Sequence, residues 1–175
     1  MVRLIMGVKG SGKTKQLIEL INNAAKDEPG NVVCIEANRT MTYDIHYHIR
    51  LIDAQEYNLD SYELFRGFIS GLYAGNYDIS HVFIDNLCKT IGREVDKDTE
   101  NFLNWLDAFG EKNNIKFTVQ VAPKRTEISA AERSLGMTFS KASTLTASSG
   151  SFFAASSATV SLFRTFPDRY SSAAT

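Results

Sequence analysis

The chain has 175 residues, of which 43% are hydrophobic and 22% are charged, as is usual for one globular domain with a core. The net charge of −1 hides an asymmetry: residues 1–122 hold 13 Lys and Arg against 17 Asp and Glu, whereas residues 123–175 hold 6 against 3. The acidic first part excludes a basic nucleic-acid platform, so an anionic partner must be bound locally.

Strand and helix patterns alternate along residues 1–122. Short apolar runs predict strands, and apolar residues at a spacing of three and four predict amphipathic helices. The predicted strands are Val2–Met6, Val32–Ile35, Arg50–Asp53, His81–Asp85 and Ile115–Val121. The predicted helices run from Lys13 to about Ala25, from an Asp60 cap to about Ala74 with Leu64, Phe65, Phe68, Ile69 and Leu72 inward, and from Asp98 to about Lys112. This alternation predicts an α/β fold in three layers, with a mostly parallel sheet of about five strands.

The character of the chain changes at Pro123. More than half of the residues from Ala142 onward are Ser, Thr or Ala, and residues 142–163 carry no charge. Many Ser and Thr residues lie between the apolar residues there, so the segment is less apolar than a membrane-spanning helix requires. We therefore predict a domain at residues 1–122 and a low-complexity tail at residues 123–175, disordered or weakly structured.

The segment after the first predicted strand fits the pattern G-x-x-x-x-G-K-[ST] of the phosphate-binding loop. Glycines let backbone N–H groups surround a phosphate chain, and the N-terminus of the following helix favours anions. In such a loop Lys13 contacts the β- and γ-phosphates and Thr14 places a hydroxyl on Mg²⁺. The predicted nucleotide-binding residues are Gly7, Val8, Lys9, Gly10, Ser11, Gly12, Lys13, Thr14 and Lys15.

An acidic residue at the end of a neighbouring strand usually completes such a site by holding Mg²⁺, often through water. Asp85 ends the apolar run that begins at Val82 and is predicted to have this role. The next residue is Asn86, which can position water but is a poor base. The candidates for a catalytic group are therefore Lys13, Glu36 at the end of the second strand, and Asn86. An arginine finger is a further option among the basic residues Arg39, Arg50, Arg66, Lys89 and Arg93.

Several segments resemble a family of short bacterial P-loop ATP-binding proteins that are often labelled twitching-motility (PilT-like) ATPases. The similar segments are residues 10–15, 31–36, 43–45, 50–53, 75–79 and 116–118. The resemblance covers about residues 1–122 and implies a RecA-like domain of the P-loop NTPase superfamily. It also implies ATP and Mg²⁺ as ligands, with a homo-oligomer or a protein partner as an option.

The sequence leaves three functions open. The first is an ATP-binding protein with slow or partner-activated hydrolysis and a regulatory or assembly role. The second is a small nucleoside kinase, and the third is a nucleotide sensor without turnover, which Asn86 favours. The two cysteines, Cys34 and Cys88, lie in apolar runs and are predicted to be buried thiols. No export signal is visible before the nucleotide motif, so we expect a cytoplasmic protein.

Overall fold

Strands and helices alternate along most of the chain. The structure is a computed structural model and describes residues 2–6, 12–38, 40–122 and 160–163. The strands are β1 (Val2–Met6), β2 (Asn31–Glu36), β3 (Arg50–Asp53), β4 (Ile79–Ile84), β5 (Lys116–Val121) and β6 (Val160–Phe163). The helices are α1 (Lys13–Asp27), α2 (Tyr62–Gly75), α3 (Leu87–Ile91) and α4 (Lys97–Asn113), with a 3₁₀ helix at Ala54–Tyr57.

The strands form one sheet in the order β3-β2-β4-β5-β1-β6. The first five are parallel to their neighbours, whereas β6 pairs antiparallel with β1. All five parallel strands therefore end at the same edge of the sheet. In open α/β sheets, the crevice outside this carboxyl edge is where ligands bind.

Two hydrophobic clusters cover the two faces of the sheet. Helix α1 packs on one face, where Leu17 and Ile21 meet Cys34 and Phe83. Helices α2, α3 and α4 pack on the other face, against alternate residues of the same strands. Side chains within a strand alternate between faces, which explains why these strands are apolar along nearly their whole length. The predicted α/β fold with helices on both sides of a parallel sheet is confirmed.

The five predicted strands and three predicted helices are present, with ends shifted by up to two residues. The predicted cap of the second helix is wrong in detail, because Ser61 rather than Asp60 accepts a hydrogen bond from the Leu64 N–H, at 3.2 Å. Leu64 was predicted to face inward but is 52% exposed. The short helix α3 and the 3₁₀ helix were not predicted. Cys34 and Cys88 are buried free thiols, as predicted.

One segment of the C-terminal region belongs to the sheet. Val160–Phe163 lies beside β1, with Met6 opposite Val160 and Arg3 opposite Phe163. The sequence analysis did not predict this strand, and the other residues beyond 122 lie outside the described part of the chain. None of the helices that the structure describes combines the length and the apolar character needed to cross a membrane.

A partly buried polar network connects the end of α1 to the middle of the sheet. His81 Nδ1 lies 3.1 Å from Glu28 Oε1, and its Nε2 lies 2.9 Å from Thr118 Oγ1. Lys116 Nζ contacts both oxygens of the same Glu28 carboxylate, at 2.9 and 3.1 Å. Burial lowers the pKa of His81 to about 4, against the opposing effect of Glu28. Neutral His81 satisfies both neighbours by donating to the carboxylate and accepting from the hydroxyl.

Candidate functional site

Three polar side chains lie side by side at the carboxyl edge of the sheet. Glu36 ends β2, Asp85 directly follows β4, and Gln120 is the penultimate residue of β5. The strand register places them at the same level, because Ile35 is opposite Ile84 and Ile84 is opposite Val119. By the alternation of side chains they lie on the α1 face of the sheet.

The N-terminus of α1 supplies the cation of this site. Gly12 caps the helix in the left-handed conformation with φ of 81°, which glycine adopts without a steric penalty. Lys13 is the first residue of α1 and is only 6% exposed. Burial lowers the pKa of the Lys13 ammonium, and the negative charge of Asp85 opposes that shift. The two side chains predicted to act on phosphate and metal are thus brought together.

Asp85 is a buried carboxylate whose surroundings do not fully compensate its charge. It is 8% exposed, and its backbone N–H donates to the Ile35 carbonyl oxygen at 2.8 Å. Burial and then the neighbouring Glu36 raise the pKa of Asp85 to about 6, against the effects of Lys89, the Ala37 N–H and Lys13. Its Oδ1 is buried and has no hydrogen-bond partner among the described residues.

Glu36 is held in a fixed orientation. Only 1% of the residue is exposed, and its Oε2 accepts hydrogen bonds from the backbone N–H groups of Thr40 and Met41, at 3.0 and 3.1 Å. A carboxylate oriented in this way beside Asp85 is suited to accept a proton or to orient a water molecule. Glu36 therefore remains a candidate for the catalytic group.

Sequence reasoning missed two glutamines at this site. Gln120 interrupts an apolar strand, and Gln16 lies one turn after Lys13 on α1. The Oε1 atoms of both are buried without a hydrogen-bond partner in the described part of the chain. With Asp85 Oδ1, they make three of the six such side-chain atoms that the described residues contain. A polar residue near the end of an otherwise apolar strand was the signal that could have identified Gln120.

The remaining predicted site residues lie partly outside the described part of the chain. Gly7, Val8, Lys9, Gly10 and Ser11 lie outside the described residues, whereas Thr14 and Lys15 are exposed on the first turn of α1. Asn86 has a left-handed backbone with φ of 44° at the start of α3. Asn tolerates this conformation better than most residues, which gives Asn86 a structural reason to be there. Its catalytic role stays a prediction.

The basic residues of the middle region have separate surroundings. Lys89 on α3 is the one whose charge acts on Asp85. Arg66 lies over the Trp105 ring, 5.8 Å from its centroid, and Arg93 forms an exposed ion pair with Asp98 at 3.9 Å. Arg39 lies outside the described residues. Lys89 is thus the member of this set with a described link to the site.

The donor set fits magnesium bound together with a nucleotide. Within the described residues, no group of three or more His, Cys, Asp or Glu side chains is arranged to hold a metal ion by itself. Nucleotide-bound Mg²⁺ does not need such a group, because it takes one or two protein ligands besides phosphate oxygens and water. The unpartnered oxygen of Asp85 is a ligand of the required kind.

No protein-family model matches the chain, and no curated protein is significantly similar to it.

Proposed function

We propose that the protein binds Mg·ATP at the carboxyl edge of the sheet, through Gly7–Thr14 and Asp85, as a RecA-like P-loop domain. The observation that carries the proposal is the pairing of two buried opposite charges, Lys13 at the start of α1 and Asp85 after β4. The unpartnered Asp85 Oδ1 supports it, because a bound cation would compensate this oxygen. The resemblance to short P-loop ATP-binding proteins agrees with this function.

Each side chain has a distinct task in the proposed site. The ammonium of Lys13 and the first N–H groups of α1 attract the phosphates, and Asp85 holds the metal directly or through water. Mg²⁺ supplies charge neutralisation on the β- and γ-phosphates when it is bound. Glu36 orients a water molecule and accepts its proton, while the Gln120 amide helps to position that water.

The proposed activity is slow or partner-activated ATP hydrolysis. Glu36 keeps one carboxylate oxygen on the Thr40 and Met41 N–H groups, so it is already oriented before a nucleotide binds. Asn86, which follows Asp85, offers no second base. A nucleotide sensor without turnover is the second candidate for that reason.

Titration of the full chain with Mg·ATP, followed by a phosphate-release assay, tests the proposal. Lys13→Ala should weaken binding at least about tenfold, because it removes a charge-assisted contact. Lys26→Ala is the matched control, since Lys26 is an exposed lysine at the other end of α1. Glu36→Gln should retain binding and lose phosphate release.

The outcomes separate the candidate functions. Phosphate release that disappears in Glu36→Gln supports the ATPase, and tight binding without release supports the sensor. Phosphate transfer that requires an added nucleoside would indicate a kinase instead. If Mg·ATP does not bind, or if Lys13→Ala binds it as tightly as the unmodified chain does, the proposal is wrong.

A further inference from the structure

A cavity lies beside the proposed site, just beyond the end of β2. It has a volume of about 220 Å³ and lies between the 3₁₀ helix, the residues after it, and α3. Its polar lining consists of Gln55, Asn58, Asp60, Lys89 and Thr90. Ala37 forms part of its wall, and the Ala37 N–H also donates to the Asp85 carboxylate. The cavity and the proposed nucleotide site therefore share one backbone segment.

Lys89 provides the cavity with a positive charge. The Asn38 amide, with its oxygen turned toward Lys89, accepts a hydrogen bond from the ammonium and donates to the Ala37 carbonyl oxygen at 2.8 Å. An ammonium group has three donors, so contact with Asn38 leaves capacity for an anionic ligand. The Asn38 contact also places the end of the flexible Lys89 side chain beside the cavity wall.

Thr90 gives a second, independent indication of a ligand. It lines the cavity, and its Oγ1 is buried without a hydrogen-bond partner among the described residues. A buried hydroxyl without a partner costs free energy. Threonine in a helix has two accessible χ1 rotamers, so the hydroxyl can turn toward a ligand in the cavity.

The lining indicates the chemistry of the ligand. Gln55 and Asn58 offer amide donors and acceptors, and Asp60 is an acceptor for hydroxyl groups. The volume is below the range of about 300–1,000 Å³ that is usual for sites of drug-sized ligands. We propose that this cavity binds a small hydroxylated anion, with its carboxylate or phosphate group on Lys89, as a second ligand beside the nucleotide site. The proposal goes beyond nucleotide binding and does not depend on it.

The test is a nitrogen-15 NMR titration of the full chain without nucleotide. Glycerol 3-phosphate and glycerate serve as the two anionic probes, and glycerol serves as the uncharged control. We expect saturable shifts of the backbone signals of Ala37, Asn58 and Thr90 with at least one anionic probe. A response to glycerol 3-phosphate alone assigns the site to phosphate esters, and a response to glycerate assigns it to hydroxy acids.

Two variants and a matched control make the test specific. Lys89→Met should weaken binding at least about tenfold, because it removes the charge but keeps the chain length. Thr90→Val should weaken it roughly threefold to tenfold through loss of one neutral hydrogen bond. Lys97→Met, at an exposed lysine on the first turn of α4, should bind as the unmodified chain does.

Three results would overturn the inference. The first is the absence of saturable shifts at the cavity residues with both anions, including the case in which only residues 12–15 respond. The second is binding of glycerol as tight as that of the anions. The third is unchanged affinity in both Lys89→Met and Thr90→Val. Because no nucleotide is present, these results are independent of whether the chain binds Mg·ATP.

Discussion

Replacing Asp85 by asparagine should stabilise the ligand-free protein while it abolishes Mg·ATP binding. Asp85 is buried beside Glu36, and both effects disfavour its charged form. Asparagine has nearly the same shape and is neutral at every pH. Its oxygen can still accept the hydrogen bond from the Ala37 N–H, and its amide nitrogen can donate to the Glu36 carboxylate.

The size of the effect follows from the proton affinity of Asp85. Its pKa is about 6 in the folded chain against an ordinary 3.8. Each tenfold difference in proton affinity corresponds to about 1.4 kcal/mol, so holding the charge in this site costs up to roughly 3 kcal/mol at neutral pH. The attraction to Lys13 is already included in this value, because it is one of the effects that oppose the shift of the Asp85 pKa. We therefore expect a net gain of about 1–3 kcal/mol in the free energy of unfolding at pH 8.

The pH dependence gives a sharper test than the gain itself. The folded-state pKa of Asp85 is raised, so its charge lowers stability as the pH increases from about 3.8 to about 6, and the loss is constant above that range. The advantage of Asp85→Asn should therefore fall to roughly half between pH 8 and pH 5. Urea unfolding of both proteins at each pH measures this difference, and the contribution of other titrating groups cancels in the comparison.

Asp98→Asn is a suitable control, because it removes an exposed carboxylate on the first turn of α4. It should lower the free energy of unfolding by less than about 1 kcal/mol, because it removes only an exposed ion pair with Arg93. The reasoning is refuted if Asp85→Asn lowers stability at pH 8, or if its advantage is the same at pH 5 and pH 8. Either result would mean that the charge of Asp85 is already compensated in the ligand-free protein.

Further predictions concern the rest of the fold. The pKa of His81 is lowered to about 4 in the folded chain, so the free energy of unfolding should fall by up to roughly 3 kcal/mol as the pH drops from 6.5 toward 4. Urea titrations of His81→Gln should show a smaller dependence of stability on pH over this range. Gly110→Ala should cost about 1–3 kcal/mol, because its Cβ would lie 2.6 Å from the Ile115 carbonyl oxygen. Gly71→Ala, with open space around the added atom, should instead gain about 0.5–1 kcal/mol. If thermal melts show the same change in stability for both variants, the close packing around Gly110 is wrong. Asn86→Val should cost about 1–2 kcal/mol at its positive φ, whereas Asn86→Gly should be nearly neutral by the same measurement.

The sequence was sufficient for the framework of the fold. Apolar runs identified the five parallel strands because both faces of the sheet are covered, and this burial makes the runs continuous. One detail that was missed is the residue that caps α2. Ser61 and Asp60 are both good capping residues, and the sequence did not indicate that the Ser61 side chain is the one that caps α2. Strand β6 is a run of only four residues, Val160–Phe163, inside a Ser- and Thr-rich segment, and the composition of that segment did not indicate its pairing with β1.

Site residues that end or directly follow a strand could be predicted from the sequence, whereas a site residue within a strand was missed. Glu36 and Asp85 were identified because they end apolar runs at the carboxyl edge. Gln120 interrupts an apolar run, but its place beside Asp85 depends on the register between β4 and β5, which the sequence alone did not provide. The cavity at Lys89 was hidden for a similar reason: α3 and the 3₁₀ helix are far apart in sequence and form its walls together.

Two polar clusters on the α1 face of the sheet, one around His81 and one around Asp85, differ in how many of their atoms have hydrogen-bond partners. Around His81, Glu28 and Thr118 supply partners to the two ring nitrogens, and Lys116 contacts both oxygens of the Glu28 carboxylate. Around Asp85 several buried oxygens have no partner in the described part of the chain. Helix α1 and the sheet thus provide hydrogen-bond partners around His81 and leave buried oxygens around Asp85 without them. Since buried polar groups without partners are costly, the open cluster is best explained by a ligand that completes it.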